Sequence, residues 1–349
     1  SGYDAILVPP SDVSSWLNRC PLPDIVVLGV QKSGTTTFAV SLRELTNAVS
    51  SKGVPGMGEY SKKEVSYYTE FREKKDPQWY ASLYAPKMNN YGIDATPEYI
   101  CFDDIPQRVI KTYEAFKGCA IPHFVIIVRD PVDRFRSFYD HAKRNDGKEG
   151  EGLEEIMGKY SREIHQPKRN LTFESVVKFE MTNPLMANPK HYCKTPLLRG
   201  MYAKQLAPWL QKFQPSQFSI ITNIDLEQDF CNTMKFVVQR AGGLGVVFPG
   251  ETPEDNLMEY VAGNRKPWLC EKLRRNGPKS AVNKHYNSAA KAGGKSTEVT
   301  EELRAQLTAH YKEANVEFAD LVEKVFVPNG AARPSILKEI RYWNNAASS

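Results

Sequence analysis

The chain lacks any long hydrophobic run. No stretch of its 349 residues reaches the roughly 18 apolar residues that span a bilayer, and no basic leader with an apolar core opens it. Membrane attachment is therefore expected only through an N-terminal anchor outside this sequence. CxxC pairs are also missing. The six cysteines, Cys20, Cys101, Cys119, Cys193, Cys231 and Cys270, are scattered, which argues against a zinc finger and leaves disulfides and buried thiols both open. No cluster with metal-ligand spacing stands out, so no metal is expected. Charge of one sign is not in large excess either. A net charge of +5 suits an anionic ligand but is too small to imply nucleic acid, and no DNA- or RNA-binding motif accompanies it. Finally, there is no GxxxxGK[ST] loop, which argues against an ATPase or kinase.

What remains is an ordinary globular composition, 41% hydrophobic and 25% charged, on a chain long enough to bury a large core. Pro9, Pro10, Pro21 and Pro23 make residues 1–23 an irregular lead-in. Ile25-Val26-Val27-Leu28-Gly29-Val30 and Phe124-Val125-Ile126-Ile127-Val128 read as buried parallel strands, with Phe218-Ser219-Ile220-Ile221-Thr222 a third and Tyr91-Gly92-Ile93-Asp94 a shorter one. Helical patterns lie between them, at about 172–181, 197–213, 225–240 and 299–325. The charged stretch 144–169 reads as a surface insertion, and 274–296 as a basic loop. Strand–helix alternation predicts an α/β fold: one domain over 24–330, with a central parallel sheet flanked by helices, followed by a C-terminal extension over 331–349. A sequon at Asn170-Leu171-Thr172 points toward a secretory lumen.

Two segments carry chemistry. The first strand turns through Gln31-Lys32-Ser33-Gly34-Thr35-Thr36-Thr37 into a helix. Such a turn aims backbone N–H groups and the positive end of a helix dipole at one point, resembling a P-loop in function. Lys32 adds a full charge and the threonines add hydroxyl donors, so a phosphate or sulfate fits. The competing reading is a hydroxyl-rich helix cap with a solvated lysine. The second strand ends in Arg129-Asp130-Pro131-Val132-Asp133-Arg134-Phe135-Arg136-Ser137. Arg129 falls at the strand's C-terminal end, where α/β proteins bind ligands, and Ser137 follows about two helical turns later. Together they can hold a second phosphate through a guanidinium fork and a hydroxyl. Alternatively, Arg129 pairs only with Asp133.

With both segments present, the chain resembles the PAPS-dependent sulfotransferases, which use 3′-phosphoadenosine-5′-phosphosulfate. QKSGTTT looks like their 5′-phosphosulfate loop and VRDPVDRFRSFYDH like their 3′-phosphate segment. The TYPKSGT loop and late GxxGxWK of the cytosolic members are absent. The Golgi carbohydrate branch, heparan sulfate 3-O- and N-sulfotransferases, is more similar: Lys63-Glu64-Val65-Ser66-Tyr67-Tyr68 looks like its KEVHFF segment, Ala95-Thr96-Pro97-Glu98-Tyr99 like KTPAYF, and Gly200-Met201-Tyr202 to Trp209-Leu210 like its Tyr…Trp-Leu helix.

The resemblance implies Lys32 and Glu64 as catalytic residues, Lys32 stabilising the leaving 5′-phosphate and Glu64 taking the acceptor proton. It implies PAPS as donor and 3′-phosphoadenosine 5′-phosphate as product. Gln31, Lys32, Ser33, Gly34, Thr35, Thr36, Thr37, Arg129, Ser137 and, in a late basic loop, Lys284 would bind the nucleotide. Asp94 is a second candidate carboxylate. Ala95 replaces the branch's lysine and Ser66 its histidine, so the acceptor is expected to be a carbohydrate hydroxyl or, alternatively, a small alcohol, phenol or amine. A non-catalytic nucleotide-binding module is a further alternative. The branch implies the Golgi lumen, with the cytoplasm as the alternative.

Overall fold

The computed structural model describes residues 20–46, 48–71, 73–84, 91–144, 153–165, 167–182, 195–242 and 296–345. The lead-in before Cys20, the basic loop with Lys284, and Cys193 and Cys270 lie outside the described residues. Five strands, β1 (Ile25–Gly29), β2 (Ala48–Ser50), β3 (Tyr91–Asp94), β4 (His123–Val128) and β5 (Phe218–Thr222), form one sheet. Their order is β2-β3-β1-β4-β5 and every pairing is parallel. The α/β fold with a single parallel sheet is thus the one expected.

The apolar runs pack on both faces because successive side chains alternate across a strand. Val26, Leu28, Phe124, Ile126, Phe218 and Ile220 face one core. Ile25, Val27, Val125, Ile127 and Ile221 face the other. Each such side chain, fully buried, stabilises the fold by about 1.5–3 kcal/mol relative to exposure. The second face is covered by α1 (Thr35–Leu45), through Phe38 and Leu42 one turn apart, and by α9 (Phe230–Arg240), through Met234 and Val237. The first face is covered by α7 (Tyr202–Leu210), α10 (Glu301–Leu321) and α11 (Ser335–Trp343). A third cluster joins α4 (Pro131–Arg144) to α6 (Phe173–Thr182) and α10 through Phe135, Phe173, Val176 and Leu307.

Short helices α2 (Pro77–Ser82) and α3 (Ile105–Glu114) flank β3 in sequence. The stretch 144–169 holds more than a surface insertion. It contains α5 (Leu153–Glu163), whose buried Tyr160 donates to Glu180 Oε1 at 2.7 Å, a tertiary tie its charged composition hides. The helix expected at 225–240 is two, α8 (Asn223–Gln228) and α9, parted at Asp229, where φ −131° and ψ 47° leave the helical region. Residues after 330, read above as an extension, join the main core through Ile336, Ile340 and Trp343. The Ile220 N–H donates to the Ala331 carbonyl at 2.7 Å, carrying that stretch alongside β5.

Cys20 and Cys119 form a disulfide across a sequence separation of 99. It ties the segments that enter β1 and β4 at the N-terminal ends of both strands. Cys101 and Cys231 are also disulfide-bonded, and no described cysteine is free.

Candidate functional site

From the central β1 the chain runs to β2 and back to β3 on one side, then crosses β1 to β4 and β5 on the other. Such a switch point opens a crevice beyond the carboxyl ends of the strands. The loop after β1 and the turn after β4 meet there, and the two sequence segments come together: Arg129 Nη1 lies 3.4 Å from the Lys32 carbonyl oxygen.

The loop is shaped for an anion. Lys32 (φ 72°) and Gly34 (φ 99°) both take left-handed conformations, which turn the chain sharply into α1. Gly29 is required just before it, because a Cβ there would sit 2.8 Å from the Pro97 carbonyl oxygen. The N-terminus of α1 has no side-chain cap, so its N–H groups remain for a ligand. Ser33 Oγ is buried without a hydrogen-bond partner. A buried hydroxyl with nothing to bind is costly unless a ligand supplies the partner. Thr35 and Thr37 are buried in the first turn, and Thr36 Oγ1 accepts from Lys63 Nζ at 2.7 Å. A hydroxyl-rich cap with a solvated lysine does not describe this loop. Burial lowers the Lys32 ammonium to about 8, with Arg144, Lys63 and Arg129 adding repulsion and Glu64 opposing it. Cations crowded together and offset in part by one carboxylate, Glu64, favour a bound polyanion.

Arg129 does not pair with Asp133, whose carboxylate is taken by Arg304 at 2.6 Å and Arg136 at 3.5 Å. Its carbonyl accepts from Tyr202 Oη at 2.6 Å, which fixes the end of β4. Pro131 opens α4, and Asp130 Oδ1 caps it by accepting from the Val132 and Asp133 N–H groups at 2.8 and 3.1 Å. Ser137 is half-buried on that helix. Glu64 is half-buried, ion-paired to Lys63, and close enough for its charge to act on Lys32.

Asp94 is a correction. Its carboxylate is fully buried and accepts from Tyr80 Oη at 2.7 Å, Tyr99 Oη at 2.9 Å and Thr96 Oγ1 at 2.7 Å. Burial pushes its carboxyl above the usual range. It organises a tyrosine core, in which Tyr67 and Tyr80 stack with centroids 4.3 Å apart, and is not a base facing substrate. Sequence reasoning also passed over two cations. Lys63 links Thr36 of the loop to Glu64. Arg199 donates to Gln31 Oε1 and pairs with Glu98 at 3.2 Å. Neither contact follows from spacing, since Arg199 and Gln31 lie 168 positions apart.

The family model described as "Sulfotransferase domain" matches residues 120–319. Bifunctional heparan sulfate N-deacetylase/N-sulfotransferase 4 of Mus musculus is 24% identical over 94% of this chain and 33% of its own length. The human N-deacetylase/N-sulfotransferase 3 is 23% identical, over 94% of this chain and 32% of its own. The chain thus spans about a third of the length of these curated relatives. A membrane-associated sulfotransferase, kil1, of Dictyostelium discoideum is 29% identical over 36% of this chain and 25% of its own length. Among solved structures, a sulfotransferase from Alicyclobacillus acidocaldarius shares the fold with TM-score 0.50 and 17% identity, covering 90% of this chain and 98% of that one.

Proposed function

The chain belongs to the sulfotransferase domain family, and from that membership we propose that it moves a sulfuryl group from PAPS to an acceptor hydroxyl, on a carbohydrate. The observation that carries this reading is the loop itself: a half-buried lysine among further cations, an orphaned Ser33 hydroxyl and an uncapped helix N-terminus, all at the sheet's switch point.

In-line transfer needs the acceptor oxygen, sulfur and leaving oxygen aligned, and positioning with charge stabilisation supplies most of the catalysis. The acceptor oxygen bonds to sulfur while the bond from sulfur to the 5′-phosphate oxygen breaks. Lys32 and the α1 N–H groups take up the negative charge left on that phosphate. Glu64 receives the acceptor's proton, and Lys63 holds its carboxylate beside the loop. Arg129 and Ser137 hold the 3′-phosphate.

The carbohydrate class rests on the relatives' printed activity toward heparan sulfate, which is N-sulfation, and the hydroxyl on the sequence reading alone. A small-molecule acceptor is favoured by one feature: Ala95 is fully buried where the similar enzymes keep a lysine near donor and acceptor. Oxidised cysteines and an exposed Asn170 support a secretory-lumen setting. No helix among the described residues is long and apolar enough to cross a membrane. The test is transfer from labelled PAPS across a panel of heparan and chondroitin chains, simple sugars, phenols, alcohols and amines. Labelled polysaccharide is the expected result. Label only in small molecules moves the acceptor class, and no label with any acceptor overturns the activity.

A further inference from the structure

One buried side chain touches three parts of the site and has no role in the chemistry above. Arg199 stands in the turn Leu198–Gly200, just before α7, with 9% of its side chain exposed. Nη1 donates to Gln31 Oε1, at the start of the phosphate loop. Nη2 donates to Glu98 Oε1 at 3.2 Å, in the segment after β3. The guanidinium carbon lies 5.6 Å from the ring centre of Phe138, the residue after Ser137 on α4.

The backbone around it is equally constrained. The Arg199 N–H donates to the Thr195 carbonyl at 3.2 Å. Its own carbonyl accepts from Gln205 Nε2 at 2.9 Å. Gly200 lets the turn press onto α4 and α10, since a Cβ there would meet Pro131 Cβ at 2.8 Å and Tyr311 Cε1 at 2.6 Å. Three residues on from Arg199, Tyr202 holds the Arg129 carbonyl.

We propose that Arg199 is a positioning residue that holds the 5′-phosphate loop at a fixed spacing from the 3′-phosphate helix, so that a nucleotide carrying both phosphates is bound as one unit. This rests on the sulfotransferase reading. A planar guanidinium suits the task because it serves two acceptors and a ring face at once, where an ammonium offers a single charged point. A ligand engaging two sites gains from the second only when their separation matches its own length. Loosening the tie therefore weakens the coupling between the phosphates more than the affinity for either phosphate alone.

The experiment measures dissociation constants of 3′,5′-ADP, 5′-AMP and 3′-AMP for wild type, Arg199→Lys, Arg199→Gln, Gln31→Ala and the Gln31→Ala/Arg199→Gln double variant. Thermal melts without ligand accompany each. Arg199→Gln is expected to weaken 3′,5′-ADP about tenfold or more while each mononucleotide weakens by less than about threefold, with Arg199→Lys between. The double variant is expected to be no worse than Arg199→Gln, because both changes cut the same link. Equal losses for all three ligands, or additive losses in the double variant, overturn the proposal. Should Arg199→Gln fail to fold, Arg199→Lys and Gln31→Ala decide it by the same comparison of ligands. If wild type itself does not bind 3′,5′-ADP, the donor assignment fails and this inference with it. Wild-type binding with equal losses removes this inference alone.

Discussion

Asp94, fully buried, and Lys32, half-buried, are ionisable groups at the carboxyl ends of adjacent strands, β3 and β1, yet their surroundings are opposite. Asp94 is met by three hydroxyls, so its lone pairs are served within the protein. Lys32 is met by Arg144, Lys63 and Arg129, which repel it, and among the described residues Glu64 offsets them in part. Burial alone therefore does not mark a functional group. A charge crowded by like charges beside an uncapped helix start is the stronger candidate, because a bound anion would relieve the repulsion.

The sharpest test of that contrast is Asp94→Ala. Three buried hydroxyls would lose their acceptor together, which costs about 3–5 kcal/mol of stability by analogy with breaking a buried polar network. Denaturant unfolding measures the loss. Nucleotide affinity in the protein that remains folded should be unchanged, and a selective loss of affinity would return Asp94 to the site. Lys32→Ala should do the reverse. Donor affinity or turnover is expected to fall about 100-fold or more, comparable to deleting a charge-stabilising donor. Its melting temperature should hold or rise, because a repelled cation has been removed. A strongly destabilised Lys32→Ala would instead make the lysine structural.

The same contrast has a pH signature. Lys32 sits lowered to about 8 in the free protein, and bound phosphates must raise it. Binding therefore takes up a proton above pH 8. The dissociation constant of 3′,5′-ADP is expected to climb by up to about tenfold per pH unit from there, until the bound-state value is passed. Calorimetry from pH 7 to 10 measures the slope, and Lys32→Ala should abolish it. An unchanged slope in the variant would assign the proton elsewhere.

These two groups also differ in how far the sequence disclosed them. Lys32 and Arg129 were legible because each lies in a contiguous strand–loop–helix whose apolar run, glycine or proline and polar turn follow in order. The parallel sheet was legible for the same reason: β1 and, after His123, β4 are continuous apolar runs, and β5 keeps Phe218, Ile220 and Ile221 beside Ser219 and Thr222 in a wholly buried strand. Asp94 was misjudged because its three hydroxyl partners come from a separate helix and a turn, and nothing local advertises Tyr80. Arg199 and Lys63 were missed likewise, their loop partners lying 168 and 27 positions away. The strand β2 has three residues, too few for any period to show. Helix α5 hides in a charged, glycine-bearing stretch because its stability comes from tertiary ties such as Tyr160 with Glu180.

Glu339 gives the smallest and most discriminating prediction, since it shares features with both groups. It is a carboxyl on α11, and its Oε1 is buried without a partner. Burial pushes it up to about 7, the charges of Asp225 and Asp130 push the same way, and hydrogen bonds from Thr222 and Trp343 oppose them. Like Lys32, it can shed its unmet charge through its proton, but it does not stand at an uncapped helix start where a bound ion would relieve crowded like charges, so no ligand is required. Its folded value lies above the unfolded one, so the stability it contributes is complete below about 4.5 and is lost as pH rises through about 7. Glu339→Gln keeps the neutral form at every pH. It should match wild type at pH 5 and melt a few degrees higher at pH 8, the gain bounded at about 3 kcal/mol by the size of the shift. Parallel melting curves for the two proteins across pH 5–8 would mean that the carboxyl is charged throughout, and that an incompletely partnered buried group can persist here with neither ligand nor proton.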